Sequence, residues 1–213
     1  MPLRSRIDAY IAQQLGHPSG TVGRMVSKGL NRGNRELVEA AVAALALPSD
    51  AVAADVGFGG GIGLRLLLDA PGAPTVHGVE VSATMISQAQ SRFAEACSSG
   101  RLHTHLGPIT DLPLESAALD GLITVNTVYF IEDLDLALRE VARTLRGTGR
   151  AAIGIGDPQA MEKMSFTAQG FLLRPISEVE EALSRAGLVL ADHRRVGEGR
   201  VPAHVLVAAR SSS

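Results

Sequence analysis

The chain has 213 residues, of which 46% are hydrophobic, so it can bury one substantial core. Its net charge of −2 and its low aromatic content of 3% argue against a basic surface with stacking platforms, so no nucleic-acid partner is expected. No apolar run reaches the roughly 18 residues of a membrane-spanning helix, and Cys97 is the sole cysteine. We therefore expect a cytoplasmic protein with no membrane partner and no intrachain disulfide.

The first 45 residues predict helices. Turn residues interrupt the helical spacing at His17-Pro18-Ser19-Gly20 and again at Asn31-Arg32-Gly33-Asn34. Asn34 is a candidate N-cap for a helix over Arg35–Leu45. We predict that residues 1–45 form an N-terminal helical cap on a core of residues 50–210, and that residues 1–213 are a single domain.

A glycine-rich turn follows the first predicted strand. The apolar run at residues 51–55 leads into Asp-Val-Gly-Phe-Gly-Gly-Gly-Ile-Gly and then a leucine-rich helical segment. Gly57, Gly59 and Gly61 lack a Cβ, so the turn can take unusual backbone angles and a ligand can approach closely. A dinucleotide site has the pattern Gly-x-Gly-x-x-Gly/Ala, and no alignment of this turn with the pattern places a small residue at its third glycine position. The chain also has no P-loop motif. The turn therefore predicts a different nucleotide-like ligand.

The next predicted strand, Thr75–Glu80, ends in a carboxylate. The intervening length leaves room for one crossover helix, which makes the unit a βαβ with parallel strands. Glu80 at the strand tip can accept both hydroxyls of a ribose, and the apolar side chains of Val81 and Met85 can flank a base. This unit therefore predicts a ligand that contains a nucleoside.

The remaining chain alternates helices and strands. Ser82 or Thr84 can cap a helix that runs to about Ala96. Strands are predicted at residues 102–106, 119–125, 150–155, 188–194 and 203–209, and helices at residues 134–145 and 176–186. The run at residues 119–125 is continuously apolar, as expected of a central parallel strand.

These features resemble the class I S-adenosylmethionine-dependent methyltransferases. The resemblance covers about residues 50–210 and depends on Asp55, on the three turn glycines, on Glu80, and on the Leu-Arg-Gly-Thr-Gly-Arg connection at residues 145–150. It implies an α/β fold, doubly wound and Rossmann-like, with a mostly parallel seven-stranded sheet closed by an antiparallel hairpin. It also implies S-adenosyl-L-methionine as the cofactor, with Asp55, Gly57, Gly59 and Gly61 around its amino-acid part.

One position departs from the family pattern. Pro108 stands where the family usually has an aspartate that contacts the adenine amino group. Because proline has neither a carboxylate nor an N–H, adenine recognition is expected to pass to the backbone of Ile109, or to Thr110 and Asp111.

Candidate residues for the reaction lie near the fourth strand and in the cap. Asn126, Thr127 and Tyr129 follow the fourth strand, where open α/β sheets bind ligands, and are predicted to separate the methyl group from its acceptor. Asn126 and Thr127 are also predicted to bind the cofactor. The catalytic candidates are His17 and Tyr129. The acceptor-binding candidates are Asn31, Asn34, Tyr129 and Glu132. His103 and His105 share one face of a strand without a third ligand in view, so no divalent metal is indicated.

Methyl transfer to a small-molecule acceptor, through a hydroxyl or an amine, is the leading functional interpretation. A protein methyltransferase, a family member that binds the cofactor without methylating, and an NAD-dependent oxidoreductase are the alternatives. A homodimer is left open.

Overall fold

The computed structural model describes residues 34–72, 75–168, 170–197 and 202–211. The predicted site residues His17 and Asn31 lie outside the described residues. Helix α1, Arg35–Leu45, buries Leu37, Val38 and Ala41 in the core, so the described part of the predicted cap belongs to a layer of the domain. A cap formed by the residues before it stays a prediction.

Seven strands form one sheet in the order β3-β2-β1-β4-β5-β7-β6. Strand β7 is antiparallel to both of its neighbours, and every other pairing is parallel. The strands are β1 (Val52–Val56), β2 (Thr75–Glu80), β3 (Leu102–Leu106), β4 (Leu119–Val125), β5 (Leu145–Gly156), β6 (Leu188–Val196) and β7 (Ala203–Arg210). The predicted sheet with its closing antiparallel hairpin is confirmed.

Helices cover both faces of this sheet. Apolar side chains of α1, α2 (Ile62–Leu68) and α3 (Ala83–Arg92) share one buried cluster, and those of α5 (Leu134–Thr144) and α7 (Ile176–Arg185) share another. The shorter helices are α4 (Ala94–Ser98), α6 (Pro158–Met161) and two 3-10 helices, Val128–Phe130 and Ser165–Ala168. This arrangement confirms the doubly wound fold class. Within the described ranges, every helix is too short or too polar to span a bilayer.

Two predicted boundaries were wrong. The helix after Glu80 is two helices, α3 and α4, because Phe93 between them leaves the helical conformation at φ −113° and ψ 33°. Ser82, not Thr84, caps α3 by accepting a hydrogen bond from the Met85 amide. Strand β5 begins at Leu145 and not at residue 150, because residues 145–149, predicted as a connection, also form strand. The pairing of this part with β4 has a register irregularity.

Candidate active site

The glycine turn joins the carboxyl end of β1 to the start of α2. Gly57, Gly59 and Gly61 have φ values of +73°, +47° and +72°, a region that residues with a Cβ rarely adopt. A Cβ on Gly57 would lie 2.7 Å from Oγ1 of Thr127, whereas a Cβ on Gly59 would meet only the Gly57 carbonyl oxygen at 4.0 Å. The turn is therefore closed by packing at Gly57 and open at Gly59.

Glu80 connects the tip of β2 to this turn. Its Oε2 accepts a hydrogen bond from the Gly59 amide at 2.9 Å. Its Oε1 accepts from the amides of Val81 at 2.9 Å and Ser82 at 3.1 Å. The side chain is buried, and these three N–H donors satisfy most of its acceptor positions. The carboxylate is consequently held in a fixed orientation.

Asp55 lies at the end of β1, buried against the start of α2. A Cβ on Gly63 would lie 2.3 Å from its Oδ2, so only glycine fits beside the carboxyl group. Burial, reinforced by the nearby charge of Glu80, raises the pKa of Asp55 to about 8, although the Leu64 amide counteracts the shift. At neutral pH the Asp55 carboxyl group is therefore largely protonated.

The loop between β4 and α5, residues 126–133, forms the opposite side of the site. Asn126 has φ +57°, a left-handed conformation that asparagine tolerates better than most residues. Its amide donates to the Gly154 carbonyl at 2.8 Å, which ties the loop to β5. Asp133 ends the loop by accepting from the Leu136 amide at 2.8 Å, as the N-cap of α5.

A cavity of about 550 Å³ lies between these elements, within the range of small-molecule sites. It brings together most of the predicted cofactor and acceptor residues: Asn34, Asp55, Gly57, Gly59, Glu80, Val81, Ile109, Thr110, Asn126, Thr127 and Glu132. Among the described lining residues the ionisable side chains are acidic: those of Glu80, Glu132 and Asp133, and that of Asp55, whose raised pKa keeps it largely protonated at neutral pH. The described wall thus offers acceptors and negative charge, and no cation.

Tyr129 is placed differently from the prediction. It is absent from the described cavity lining and is buried, with its hydroxyl accepting a hydrogen bond from the Gly156 amide at 2.5 Å. The same hydroxyl lies 3.4 Å from Oδ1 of Asn126. Desolvation raises the pKa of Tyr129 well above its ordinary value. The hydroxyl thus points to the β5 backbone, and the predicted catalytic and acceptor-binding roles of Tyr129 stay predictions.

Two further predicted residues lie away from the cavity. Met85 is buried in the core cluster of α1, α2 and α3. Gly61 faces the ring of Phe93, whose Cε2 would lie 3.2 Å from a Cβ on the glycine. Both residues contribute to the packing beneath the cavity: Met85 packs in the core, and Gly61 allows the turn to approach Phe93 closely.

The sequence analysis missed several apolar residues of the cavity: Val38, Phe58, Ile62, Phe130, Ile131 and Leu136. Four of them are sequence neighbours of predicted site residues in the same turn or loop, and this proximity could have identified them. No such indication existed for Val38, because its helical spacing predicts a core residue.

Three histidines lie together at the β2–β3 edge of the sheet. Nδ1 of His77 lies 3.0 Å from Nε2 of His105, and the His77 ring stacks on His103 with centroids 5.2 Å apart. Burial and the two neighbouring imidazoles lower the pKa of His77 to about 4. In the part of the chain that the structure describes, no three histidine, cysteine or acidic side chains are arranged to hold a metal ion.

Known proteins share this sequence pattern and this fold. A family model described as a methyltransferase domain matches residues 54–153. The O-methyltransferase resE of Aspergillus sclerotiorum is 28% identical over 140 residues, which cover 62% of this chain and 53% of that protein. The chain spans about half the length of the curated relatives it matches.

Two solved structures share the fold. The geranyl diphosphate C-methyltransferase of Streptomyces coelicolor A3(2), in complex with Mg²⁺, geranyl diphosphate and S-adenosyl-L-homocysteine, has a TM-score of 0.72 at 16% identity, covering 99% of each chain. The [4+2]-cyclase SpnF has a TM-score of 0.71 at 18% identity, covering 83% of this chain and 80% of its own. The strand order and the glycine turn with Glu80 agree with this match, and residues 54–153 lie in a methyltransferase domain of the class I S-adenosylmethionine-dependent type.

Proposed function

We propose that this chain binds S-adenosyl-L-methionine and transfers its methyl group to a small-molecule acceptor that carries a hydroxyl or an amine. The observation that carries the proposal is the convergence of Glu80 and the open glycine turn at Gly59 on one cavity of ligand size. The matched methyltransferase domain supports the choice of cofactor, and the relative named as an O-methyltransferase supports transfer to a hydroxyl.

The described residues fit the cofactor. Glu80 keeps an acceptor position for a ribose hydroxyl, because three of about four positions are used by backbone amides. Gly59 leaves open space over the turn for the amino-acid part. When bound, the cofactor supplies a methyl group already activated on a positively charged sulfur. Carboxylates in the wall suit that charge, and one acid, Asp55, can release its proton when a cation approaches.

Adenine recognition is assigned to residues 107–110 at the tip of β3. Pro108, Ile109 and Thr110 all line the cavity. Ile109 is buried and offers an apolar surface for a base, and Thr110 carries a hydroxyl that can donate or accept. These residues take the place of the aspartate that Pro108 replaces.

The acceptor side is assigned to the β4–α5 loop. Phe130, Ile131 and Leu136 give it an apolar wall, and Glu132 gives it an exposed carboxylate. The described wall has no cation to neutralise an anionic acceptor, so we assign a neutral or cationic one. An amine needs orientation above all, and Glu132 is the candidate base for a hydroxyl.

Cofactor binding without methyl transfer is the alternative. It is supported by Pro108 and by the likeness in fold to a cyclase, which shows that this architecture is not restricted to methyltransferases. Closure of the site by a cap before Asn34, a homodimer and a cytoplasmic location stay predictions.

Two measurements test the proposal. Isothermal titration calorimetry with S-adenosylmethionine, S-adenosylhomocysteine and NAD should give binding for the first two alone. Methyl-labelled S-adenosylmethionine, incubated with a deproteinised metabolite extract fractionated by charge, should label neutral or cationic compounds. Binding without any label transfer would favour the alternative, and binding of NAD alone would overturn both.

A further inference from the structure

The β4–α5 loop is held by a side chain that lies outside the cavity. The guanidinium of Arg174 donates to the carbonyl oxygens of Val128 at 3.0 Å, Ile131 at 2.7 Å and Glu132 at 3.2 Å. Two of these residues, Ile131 and Glu132, line the cavity, whereas Arg174 is absent from its described lining. One side chain thus fixes the backbone on which the acceptor wall is built.

A second contact from the same segment reaches the loop. The amide of Leu172 donates to the Tyr129 carbonyl at 2.8 Å. The ring of Phe171 lies 4.8 Å from that of Phe130 and 5.7 Å from that of Tyr129, measured between centroids. Residues 171–174 therefore contact the loop through both a backbone hydrogen bond and side chains.

The environment of Arg174 indicates more than a surface ion pair. Its side chain is 13% exposed, and its Nε pairs at 3.2 Å with Glu178, whose side chain is 51% exposed. An ion pair whose carboxylate is exposed to solvent contributes little by itself. The three carbonyl contacts use the planar fork of the guanidinium, which a lysine ammonium cannot reproduce. The arginine is suited to this position by geometry and not by charge alone.

We propose that Arg174 is a positioning residue that fixes the acceptor wall through the β4–α5 loop. This inference rests on the proposed function, since it names a device for placing the acceptor. A small displacement of a positioning loop can cost about 10²-fold in rate, while the cofactor side of the cavity is unaffected. Arg174 should therefore affect the acceptor step and leave cofactor affinity unchanged.

Arg174→Met and Arg174→Lys test the proposal, with Arg185→Met as the matched control. Arg185 is also an arginine that pairs with a carboxylate of α5, but it contacts the side chains of Asp135 and Glu181 and not loop carbonyls. All measurements are made at least 15 °C below the melting temperature of the least stable variant.

Two readouts decide the outcome. In hydrogen–deuterium exchange, Arg174→Met should speed exchange of the peptide covering residues 128–133 at least tenfold, with β1 unchanged. Label transfer from saturating S-adenosylmethionine to the metabolite extract should fall at least tenfold, with the Kd for S-adenosylhomocysteine within twofold of wild type. Arg174→Lys should behave like Arg174→Met, Arg185→Met should match wild type, and millimolar guanidinium should partly restore Arg174→Met.

Unchanged loop exchange in Arg174→Met would overturn the proposal, as would a variant that loses stability yet transfers label at the wild-type rate. If wild type transfers no label, the proposed function fails instead, and loop exchange with its guanidinium rescue still decides for or against Arg174.

Discussion

The amide of Gly59 donates a 2.9 Å hydrogen bond to Oε2 of Glu80, which joins the turn after β1 to the tip of β2. The residue predicted to bind ribose thus also orders the turn predicted to hold the rest of the cofactor. The two halves of the predicted site are coupled, because a change at Glu80 would remove the proposed ribose contact and the hydrogen bond that orders the turn.

Glu80→Ala should raise the Kd for S-adenosylmethionine at least tenfold. The change removes the ribose acceptor and three hydrogen bonds to the carboxylate, and bonds to charged groups contribute about 1.5–3 kcal/mol each. Glu80→Gln should also weaken binding, since its amide NH₂ faces a backbone N–H. Calorimetry measures the effect, with Glu95→Gln on α4 as the exposed control. An unchanged Kd in folded Glu80→Ala would reject the ribose assignment.

Alanine substitutions of Gly59 in the turn and of Gly63 in α2 should differ in their effect on cofactor binding. The new Cβ in Gly59→Ala meets no close atom of the chain and enters the open space proposed for the cofactor, so cofactor binding should weaken at least tenfold. The positive φ of this position should cost the variant about 1–2 kcal/mol of stability. Gly63→Ala places a Cβ 2.3 Å from Oδ2 of Asp55, so the free energy of unfolding should fall by about 1–3 kcal/mol. Calorimetry and urea denaturation separate the two. Equal affinity in Gly59→Ala and wild type would mean that the ligand does not approach this turn.

Tyr129→Phe should lower the stability of the fold and leave the rate of methyl transfer nearly unchanged. Removing the hydroxyl leaves the buried Gly156 amide without its partner, at a cost of about 1–3 kcal/mol. Label transfer well below the melting temperature should stay within twofold of wild type, since the hydroxyl is turned away from the cavity. A drop of tenfold or more in transfer, with stability unchanged, would restore Tyr129 to the acceptor site.

Asp55 should make stability fall as pH rises. Its pKa is raised to about 8 in the folded protein from about 3.9 in the unfolded chain, so the folded state binds the proton more tightly. The stabilisation is present below about pH 4 and is lost as pH rises through about 8. Between pH 5 and pH 9, wild type should lose at least about 1.4 kcal/mol more than Asp55→Asn, the equivalent of one pKa unit. Urea denaturation at both pH values tests this, and parallel profiles would contradict it.

Local pattern determined the framework of this protein. The run at residues 51–55, the turn glycines and the carboxylate at the end of Thr75–Glu80 were read correctly, because apolar spacing and glycine conformations are properties of short segments. The family resemblance then supplied the seven-stranded sheet and its closing antiparallel pair, which no local pattern contains.

Tertiary structure decided which side chains reach the cavity. Tyr129 was misplaced because its partner, Gly156, lies 27 residues away on another strand. Arg174 went unnoticed because its three carbonyl partners lie more than 40 positions earlier in the chain. Apolar spacing tells which face of an element is buried, but not which element covers it. Contacts between distant segments are set by the packing of whole layers, and only the folded chain brings those partners together.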